Sequence, residues 1–219
     1  MSSWLLHQLA DSALPTGGFA HSGGLEAAVQ LGRAADPDAL ADVLEEAAWS
    51  LATSALPFVS AAFRDPASLA ALDLHCDASL PGHVANRASR AQGQAYLRAA
   101  GAAFGAPIEA LADEVRARRL PGHLAPAFGA VLRALGAAEE DARRLFLFQG
   151  ARALVSAAVR LGVVGPLEAQ ALLARAGEAA ERALAATADL PPEEAASSAP
   201  LLDLLQGHQD RLYSRLFQS

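Results

Sequence analysis

The chain has 219 residues and a formal net charge of −7, from 24 acidic residues and 17 basic residues that are all arginine. Alanine accounts for 55 residues, whereas aromatic residues make up only 5 % of the chain. Because alanine favours helices and β-sheets favour β-branched and aromatic residues, the composition predicts a compact all-α protein and excludes a β-sandwich; the acidic balance excludes a general nucleic-acid binder.

Proline and glycine residues predict the helix boundaries, since proline interrupts a helix and glycine often ends one. Breaks or kinks are expected at Leu14–Phe19, Pro57, Pro66, Gly105–Pro107, Leu120–Gly122 and Leu190–Pro192. Helices are expected over 22–31, from a cap at Asp36 past Leu51, over 84–103, from Glu139 to about Gly162, from Pro166 to about Thr187, and from Glu193 onward. The prediction is one domain over 1–219 with roughly eight to ten helices and a mobile N-terminal segment at about 1–10.

The sequence lacks the motifs of common enzymes. A GxxxxGK[ST] phosphate-binding loop is excluded by the absence of lysine, and the glycine-rich segment after Pro15 follows no predicted strand, as a dinucleotide site would require. The single cysteine, Cys76, excludes an intrachain disulfide framework and a CxxC zinc site, and is typical of a reducing compartment. We therefore expect no catalytic residue, no cofactor and no bound metal, and with no long uncharged apolar run we expect no membrane association.

A weak metal-ligand pattern occurs at His75, Cys76 and Asp77. Neighbouring side chains on a helix diverge by about 100°, so a structural role is favoured over a shared metal site. His21 with Glu26 is a better pair, but we expect these residues to form hydrogen bonds. Cys76 could act as a nucleophile only with a nearby base and a lowered pKa, and the sequence indicates neither.

Two surfaces are candidate contact sites. One face of a predicted helix carries Arg87, Arg90, Gln94 and Arg98. This face either pairs with acidic groups of a partner or is solvated and forms local ion pairs. The last eight residues, 212–219, are rich in aliphatic and aromatic side chains, although chain ends are normally polar. They either dock on their own domain or anchor a partner.

Five segments, in order along the chain, resemble motifs of the UreF family of urease accessory proteins. They are LADSALPTGGFAHSGGLE at 9–26, RASRAQG at 87–93, SAAVRLG at 156–162, SSAPLLD at 197–203 and LYSRLFQS at 212–219. The resemblance spans nearly the whole chain. It implies an all-α, dimeric protein that has no catalytic activity. A cytoplasmic location is expected separately, because the sequence predicts neither a secretory signal nor a membrane-spanning helix.

The resemblance also implies partners. It predicts an adaptor that binds the accessory protein UreD (UreH in some organisms) and the GTPase UreG, acts on apo-urease, and helps to deliver nickel to its metallocentre. Two other roles remain open: a regulator that supplies an arginine to GTP hydrolysis by UreG, and a nickel-binding chaperone.

Roles for individual residues follow from the same resemblance. A C-terminal tail at about 205–219 is expected to bind the UreD-type protein, through Tyr213, Ser214, Arg215, Leu216 and Phe217, with the three apolar side chains as anchors and Arg215 as an ion-pairing residue. The N-terminal motif is expected to lie on the same face or to line a passage for nickel, through Gly17, Gly18, Phe19, His21, Ser22, Gly24, Leu25 and Glu26. A contact with UreG is expected at Arg87, Ser89 and Arg90.

Overall fold

The computed structural model describes residues 3–11, 13–80 and 82–219 of the chain. Their α-helices are α1 Ser3–Ala10, α2 Leu25–Gln30, α3 Pro37–Ser54, α4 Leu56–Arg64, α5 Leu69–Ser79, α6 His83–Phe104, α7 Ala106–Ala117, α8 Leu124–Ala134, α9 Glu139–Arg160, α10 Pro166–Ala186 and α11 Pro200–His208. Short 3-10 turns cover Gly18–Ala20, Pro66–Ser68, Pro192–Glu194 and Gln209–Arg211. No strand occurs in the described ranges, so the predicted all-α fold is confirmed.

Local sequence signals account for several helix ends. The Asp36 carboxylate accepts a hydrogen bond from the backbone N–H of Ala39 at 2.9 Å, which caps α3 as expected. Helix α9 begins with three acidic residues and ends at Arg160, two residues before Gly162, whose φ of +73° few other residues adopt readily. The break expected near Pro57 lies between α3 and α4, just before the proline. Pro57 lies in the first turn of α4, where its missing N–H costs no intrahelical hydrogen bond.

The helix expected from Glu193 begins later, at Pro200. After the 3-10 turn at Pro192–Glu194, tertiary contacts hold the chain in an extended conformation. The backbone N–H of Ala196 donates to the carbonyl of Thr53 at 3.2 Å, and the hydroxyls of Ser197 and Ser50 lie 3.0 Å apart. These contacts with α3 take up polar groups that a helix would otherwise have satisfied internally.

Helix α1 is joined to α9 by hydrogen bonds. Within the segment expected to be mobile, α1 places Leu9 in the core with 1 % exposure. The side chain of Gln149 donates to the Leu9 carbonyl at 2.7 Å, and Arg152 donates to the carbonyl of Ala10. Helix α1 is thus attached to the domain by these contacts, and the expected mobility of the segment stays a prediction.

Two clusters of buried side chains form the core. The first is built around Phe58, Tyr96, Phe128 and Phe146, from α4, α6, α8 and α9. The second lies among α2, α3, α9, α10 and α11, and Phe217 of the tail completes it. The tail is thus part of the packed domain.

Small residues let the helices around α8 approach closely. A Cβ atom on Gly129 would lie 2.1 Å from the carbonyl oxygen of Val59 in α4, and one on Gly93 of α6 would lie 2.2 Å from the carbonyl oxygen of Gly122. Both positions therefore require glycine at these crossings. Among the described residues, no helix has the length and apolarity that a membrane crossing requires.

Candidate functional site

The N-terminal motif and the tail, nearly 200 residues apart in sequence, lie against each other. The backbone N–H and the hydroxyl of Ser22 both donate to the carbonyl oxygen of Ser219, at 2.5 Å and 2.7 Å. The N–H of Gln218 donates to the carbonyl of Ala20 at 2.8 Å. We call this contact between residues 17–26 and 209–219 the tail junction.

Glu26 lies at the centre of the tail junction. Its carboxylate accepts hydrogen bonds from the backbone N–H of Leu216 at 2.6 Å, the backbone N–H of Phe217 at 3.0 Å and the side-chain amide of Gln209 at 2.6 Å. Glu26 is only 2 % exposed, and a buried carboxylate is costly unless donors surround it. Glu26 therefore holds the backbone of the tail through its charge.

Gly24 allows α2 to start directly against α11. Its φ of +90° is unfavourable for other residues, and a Cβ atom there would lie 3.0 Å from the Cβ and 3.1 Å from the backbone nitrogen of Gln206. The close approach brings Glu26 within reach of the tail. It explains why a glycine is needed two residues before Glu26.

His21 is a hydrogen-bonding residue of the tail junction. Its Nδ1 lies 2.7 Å from the hydroxyl oxygen of Ser219. Burial, and secondarily the charge of Arg87, lower the pKa of His21 below its ordinary value. The imidazole is thus neutral at physiological pH and can share a hydrogen bond without adding a buried charge.

The N-terminal candidate residues divide by exposure. Ser22, Gly24, Leu25 and Glu26 are buried, and Gly18 and His21 are half-buried. Gly17 and Phe19 are exposed, with Phe19 at 71 %. Only the exposed part of the motif offers side chains to another molecule.

The tail residues divide in the same way. Tyr213 is fully exposed and Leu216 is 52 % exposed, whereas Phe217 is 3 % exposed and packs in the second core cluster. The Ser214 carbonyl accepts a hydrogen bond from the side chain of Gln30 at 3.0 Å. In this docked conformation Phe217 is occupied within its own domain, which departs from the role of partner anchor expected for it.

Asp210 is a charged centre at the edge of the junction, and no sequence motif indicated it. Both Nη atoms of Arg87 donate to its carboxylate, at 3.1 Å and 2.9 Å, and Arg215 lies 3.2 Å away. The Nε2 of His83 lies at 3.2 Å. The hydrogen bond from Arg87 is the main cause that lowers the pKa of Asp210. Arg87 thereby contacts the tail.

Arg160 was also missed as a single residue, although its segment was recognised. The central carbon of its guanidinium lies 3.8 Å from the ring centroid of Phe19 and 4.2 Å from that of Phe217. The side chain also donates to the Phe19 carbonyl at 2.5 Å. Arg160 thus contacts both halves of the tail junction.

Ser89 belongs to a different part of the molecule, which we call the His123 network: Asp73, Asp77, Ser89 and His123. The Nδ1 of His123 lies 3.0 Å from the Ser89 hydroxyl, and its Nε2 lies 3.0 Å from an oxygen of Asp77. Asp73 accepts the backbone N–H groups of Gly122 at 2.8 Å and His123 at 2.6 Å. These bonds join α5, α6 and the start of α8.

The His123 network includes the residue types of a hydrolytic triad, but its geometry excludes that use. His123 is 0 % exposed, so no substrate can reach its ring. The Ser89 hydroxyl also accepts a hydrogen bond from the backbone N–H of Leu124 at 3.3 Å, and this bond holds it at the start of α8. Ser89 therefore does not share the exposed position of Arg90 on α6.

The residues His75, Cys76 and Asp77 follow one another on α5 and diverge. Burial, followed by the charges of Asp73 and Asp77, raises the pKa of the Cys76 thiol to about 12. The thiol is therefore protonated and unreactive as a nucleophile. In the described part of the chain, no three or more His, Cys, Asp or Glu side chains are grouped so as to hold a metal ion.

The chain is similar to known proteins over nearly its whole length. The family model UreF matches residues 34–177. Urease accessory protein F of Oryza sativa subsp. indica is 39 % identical over 222 residues, covering 99 % of this chain and 85 % of that protein. Its counterpart in Arabidopsis thaliana is 37 % identical, covering 99 % and 92 %, and UreF of Paenarthrobacter aurescens is 32 % identical, covering 98 % and 96 %. These relatives extend the similarity to both halves of the tail junction, which lie outside the family match.

Proposed function

Since the chain belongs to the UreF family of urease accessory proteins, we propose that it acts as a non-catalytic adaptor in urease maturation. In this proposal it binds a UreD-type accessory protein and a UreG-type GTPase in the cytoplasm. The assembly acts on apo-urease, so that nickel reaches the metallocentre.

The observation that supports this proposal is the exposure of apolar side chains on a backbone held by internal bonds. Tyr213 and Leu216 project from the tail, while Glu26 binds the backbone N–H of Leu216 itself. Interface anchors contribute most when they are aromatic or aliphatic and are already held in place, because little conformational entropy is then lost on binding. The tail junction therefore suits a partner-binding surface.

Within this surface the residues have distinct proposed roles. Tyr213 and Leu216 are the apolar anchors, and Arg215 beside Asp210 supplies charge at the edge. Phe217 acts from inside, by docking the tail on the second core cluster. This assignment keeps two of the three anchors expected from the sequence.

A homodimer is also part of the proposal. Trp4 is 79 % exposed and Phe148 is 39 % exposed, on the helices α1 and α9 that Gln149 joins by a hydrogen bond. Large exposed aromatic side chains are typical of interfaces. A shift from dimer to monomer mass by light scattering in a Trp4→Ala/Phe148→Ala variant is expected, with an unchanged mass contradicting this interface.

The contact with UreG is proposed at Arg87 and Arg90. Arg87 is oriented by two hydrogen bonds to Asp210, and Arg90 lies exposed nearly one turn further along α6. A guanidinium held in this way could also stabilise charge during GTP hydrolysis, which is the second candidate role. Loss of stimulated hydrolysis in Arg87→Ala or in Arg90→Ala, with UreG binding retained, would favour that role, and unchanged hydrolysis in both variants would contradict it.

Co-purification with the UreD-type and UreG-type proteins of the same organism tests the adaptor role. We expect the full chain to form a complex, and a chain ending at Gly207 to form none. Because that truncation also removes buried Phe217, the Tyr213→Ala/Leu216→Ala variant should be run beside it, with Leu167→Ala, at an 89 % exposed position on α10, as the control. Equal complex formation by all four chains would contradict the proposed surface.

A further inference from the structure

Arg160 is the last residue of α9 and lies between two segments that are distant in sequence. Its guanidinium faces the ring of Phe19, in the N-terminal motif, and the ring of Phe217, in the tail. It also donates to the backbone carbonyl of Phe19. One side chain from a third segment therefore joins both halves of the tail junction.

The chemistry of arginine suits this position. A guanidinium is planar and can lie against an aromatic ring on each of its faces, while its N–H groups stay free to donate within the plane. Two other arginines lie over rings, but each over one ring and at greater distance: Arg133 at 5.6 Å from Phe63 and Arg152 at 5.9 Å from Phe148. Arg160 thus lies over two rings, and each is closer to its guanidinium than the single ring is to that of Arg133 or Arg152.

We propose that Arg160 is a positioning residue for the tail. By stacking with Phe19 and Phe217 it raises the population in which the tail is docked, and it thereby presents Tyr213 and Leu216 to a partner. The first step concerns the isolated chain alone, whereas the second step rests on the proposed function.

The effect should be local to the tail. The Arg160 side chain forms its hydrogen bond at an exposed position, so its removal buries no unpaired polar group in the core. Phe217, by contrast, packs in the second core cluster. Loss of Arg160 should therefore loosen the tail without unfolding the domain.

Site-resolved amide hydrogen exchange tests the first step. The N–H groups of Leu216, Phe217 and Gln218 are hydrogen-bonded only while the tail is docked. In Arg160→Ala we expect their exchange to accelerate about tenfold, with core amides of α4 and α8 unchanged. Unchanged exchange of these three amides would overturn the proposal.

Two further variants separate stacking from general loosening. Arg160→Lys keeps the charge without the planar group and should restore only part of the protection. Arg152→Ala removes the same type of side chain from the same helix and should leave the three tail amides unchanged. Full protection of the tail amides in Arg160→Lys would show that the planar guanidinium is not required, which would overturn the stacking. Equally accelerated exchange of these amides in Arg152→Ala would overturn the assignment to Arg160.

A double-mutant cycle that combines Arg160→Ala with Phe19→Leu measures the coupling between the Arg160 guanidinium and the Phe19 ring. Phe19 is exposed, so the substitution leaves the core intact. If Arg160 acts through the ring, Arg160→Ala should accelerate exchange by a much smaller factor in the Phe19→Leu background. Equal factors in both backgrounds would overturn the role of this ring.

Affinity for the UreD-type protein tests the second step. Because only the docked tail presents Tyr213 and Leu216, we expect Arg160→Ala to weaken binding by the factor by which the docked fraction falls, a fraction that the exchange rates of the tail amides give. An affinity that does not follow the docked fraction would overturn the presentation step. Absence of binding by the unaltered chain would overturn the proposed function, while the exchange measurements would still decide the role of Arg160 in docking.

Discussion

The tail junction and the His123 network are both held by buried carboxylates that accept backbone N–H groups, yet they differ in what they expose. Glu26 in the junction and Asp73 in the network are each 2 % exposed or less. The junction carries Tyr213 and Leu216 on its outer side, whereas the His123 ring is completely buried. In both regions a dense set of hydrogen bonds connects segments of the domain. Only the tail junction also has exposed apolar side chains, which make it a candidate partner-binding surface.

The two regions also differ in what they join. The His123 network ties together helices of the first core cluster, at a place where α6 and the start of α8 touch. The junction attaches the end of the chain to the second cluster. Damage to the network should lower the stability of the whole domain, and damage to the junction should release the tail.

Gly93→Ala is expected to have the largest effect on stability. A Cβ atom there would lie 2.2 Å from the Gly122 carbonyl oxygen and 2.5 Å from the backbone of His123, so the His123 network must shift. Urea unfolding should show a loss of about 3 kcal/mol or more in the free energy of unfolding.

Gly177→Ala is the matched control for this substitution. Gly177 also lies inside a helix, but no atom lies within 4 Å of its added Cβ. The control should be neutral or stabilising by up to about 1 kcal/mol. Equal stability of the two variants would contradict close packing at Gly93.

Glu26→Gln should have an intermediate effect that is confined to the tail. The side-chain amide retains only one oxygen for the two backbone N–H groups and the Gln209 amide. We expect the docked conformation of the tail to lose about 2 kcal/mol of stability, which corresponds to about thirtyfold faster amide exchange at Leu216 and Phe217. Glu46→Gln, at a surface pair with Arg33, should leave these amides unchanged, and slow exchange in both variants would show that Glu26 does not hold the tail.

Asp210→Asn should have the smallest effect, and one that depends on pH. The pKa of Asp210 is lowered in the folded protein, chiefly by Arg87, so its charged form stabilises the docked tail above the unfolded pKa. This contribution is lost as the pH falls through the lower, folded pKa, below about pH 4. Because the pair is partly exposed, the contribution should stay below about 1 kcal/mol.

The difference in tail-amide exchange between the unaltered chain and Asp210→Asn isolates this contribution. At neutral pH the variant should exchange slightly faster, and the difference should shrink on acidification and in high salt. A difference that is independent of pH would indicate that the carboxylate charge has no part in docking.

Much of the fold could be predicted because proline, glycine and capping residues carry local signals. Asp36, Gly162 and Pro166 lie at the helix ends that they indicate. The helix starting at Pro200 was placed too early, since the contacts of Ala196 and Ser197 with α3 are tertiary and have no local signal.

The candidate site could be predicted only in part. The motifs located both halves of the junction, but two of the three donors to Glu26 are backbone N–H groups, which every residue type except proline has. Ser89 was grouped with Arg87 and Arg90, although on a helix it lies about 200° from Arg87 and so faces elsewhere. Asp210 and Arg160 act through distant partners, Arg87 and Phe217, that no spacing in the sequence indicates.

In the proposed function, the docked tail presents Tyr213 and Leu216 to a UreD-type protein. Titration calorimetry of that protein with the Tyr213→Ala/Leu216→Ala variant tests it most directly, with urea unfolding of the same sample as the check on folding. We expect the variant to bind at least about tenfold more weakly than the unaltered chain, because it lacks both anchors. Its free energy of unfolding should be unchanged, because both side chains are exposed. Equal affinity of the variant and the unaltered chain would contradict the account.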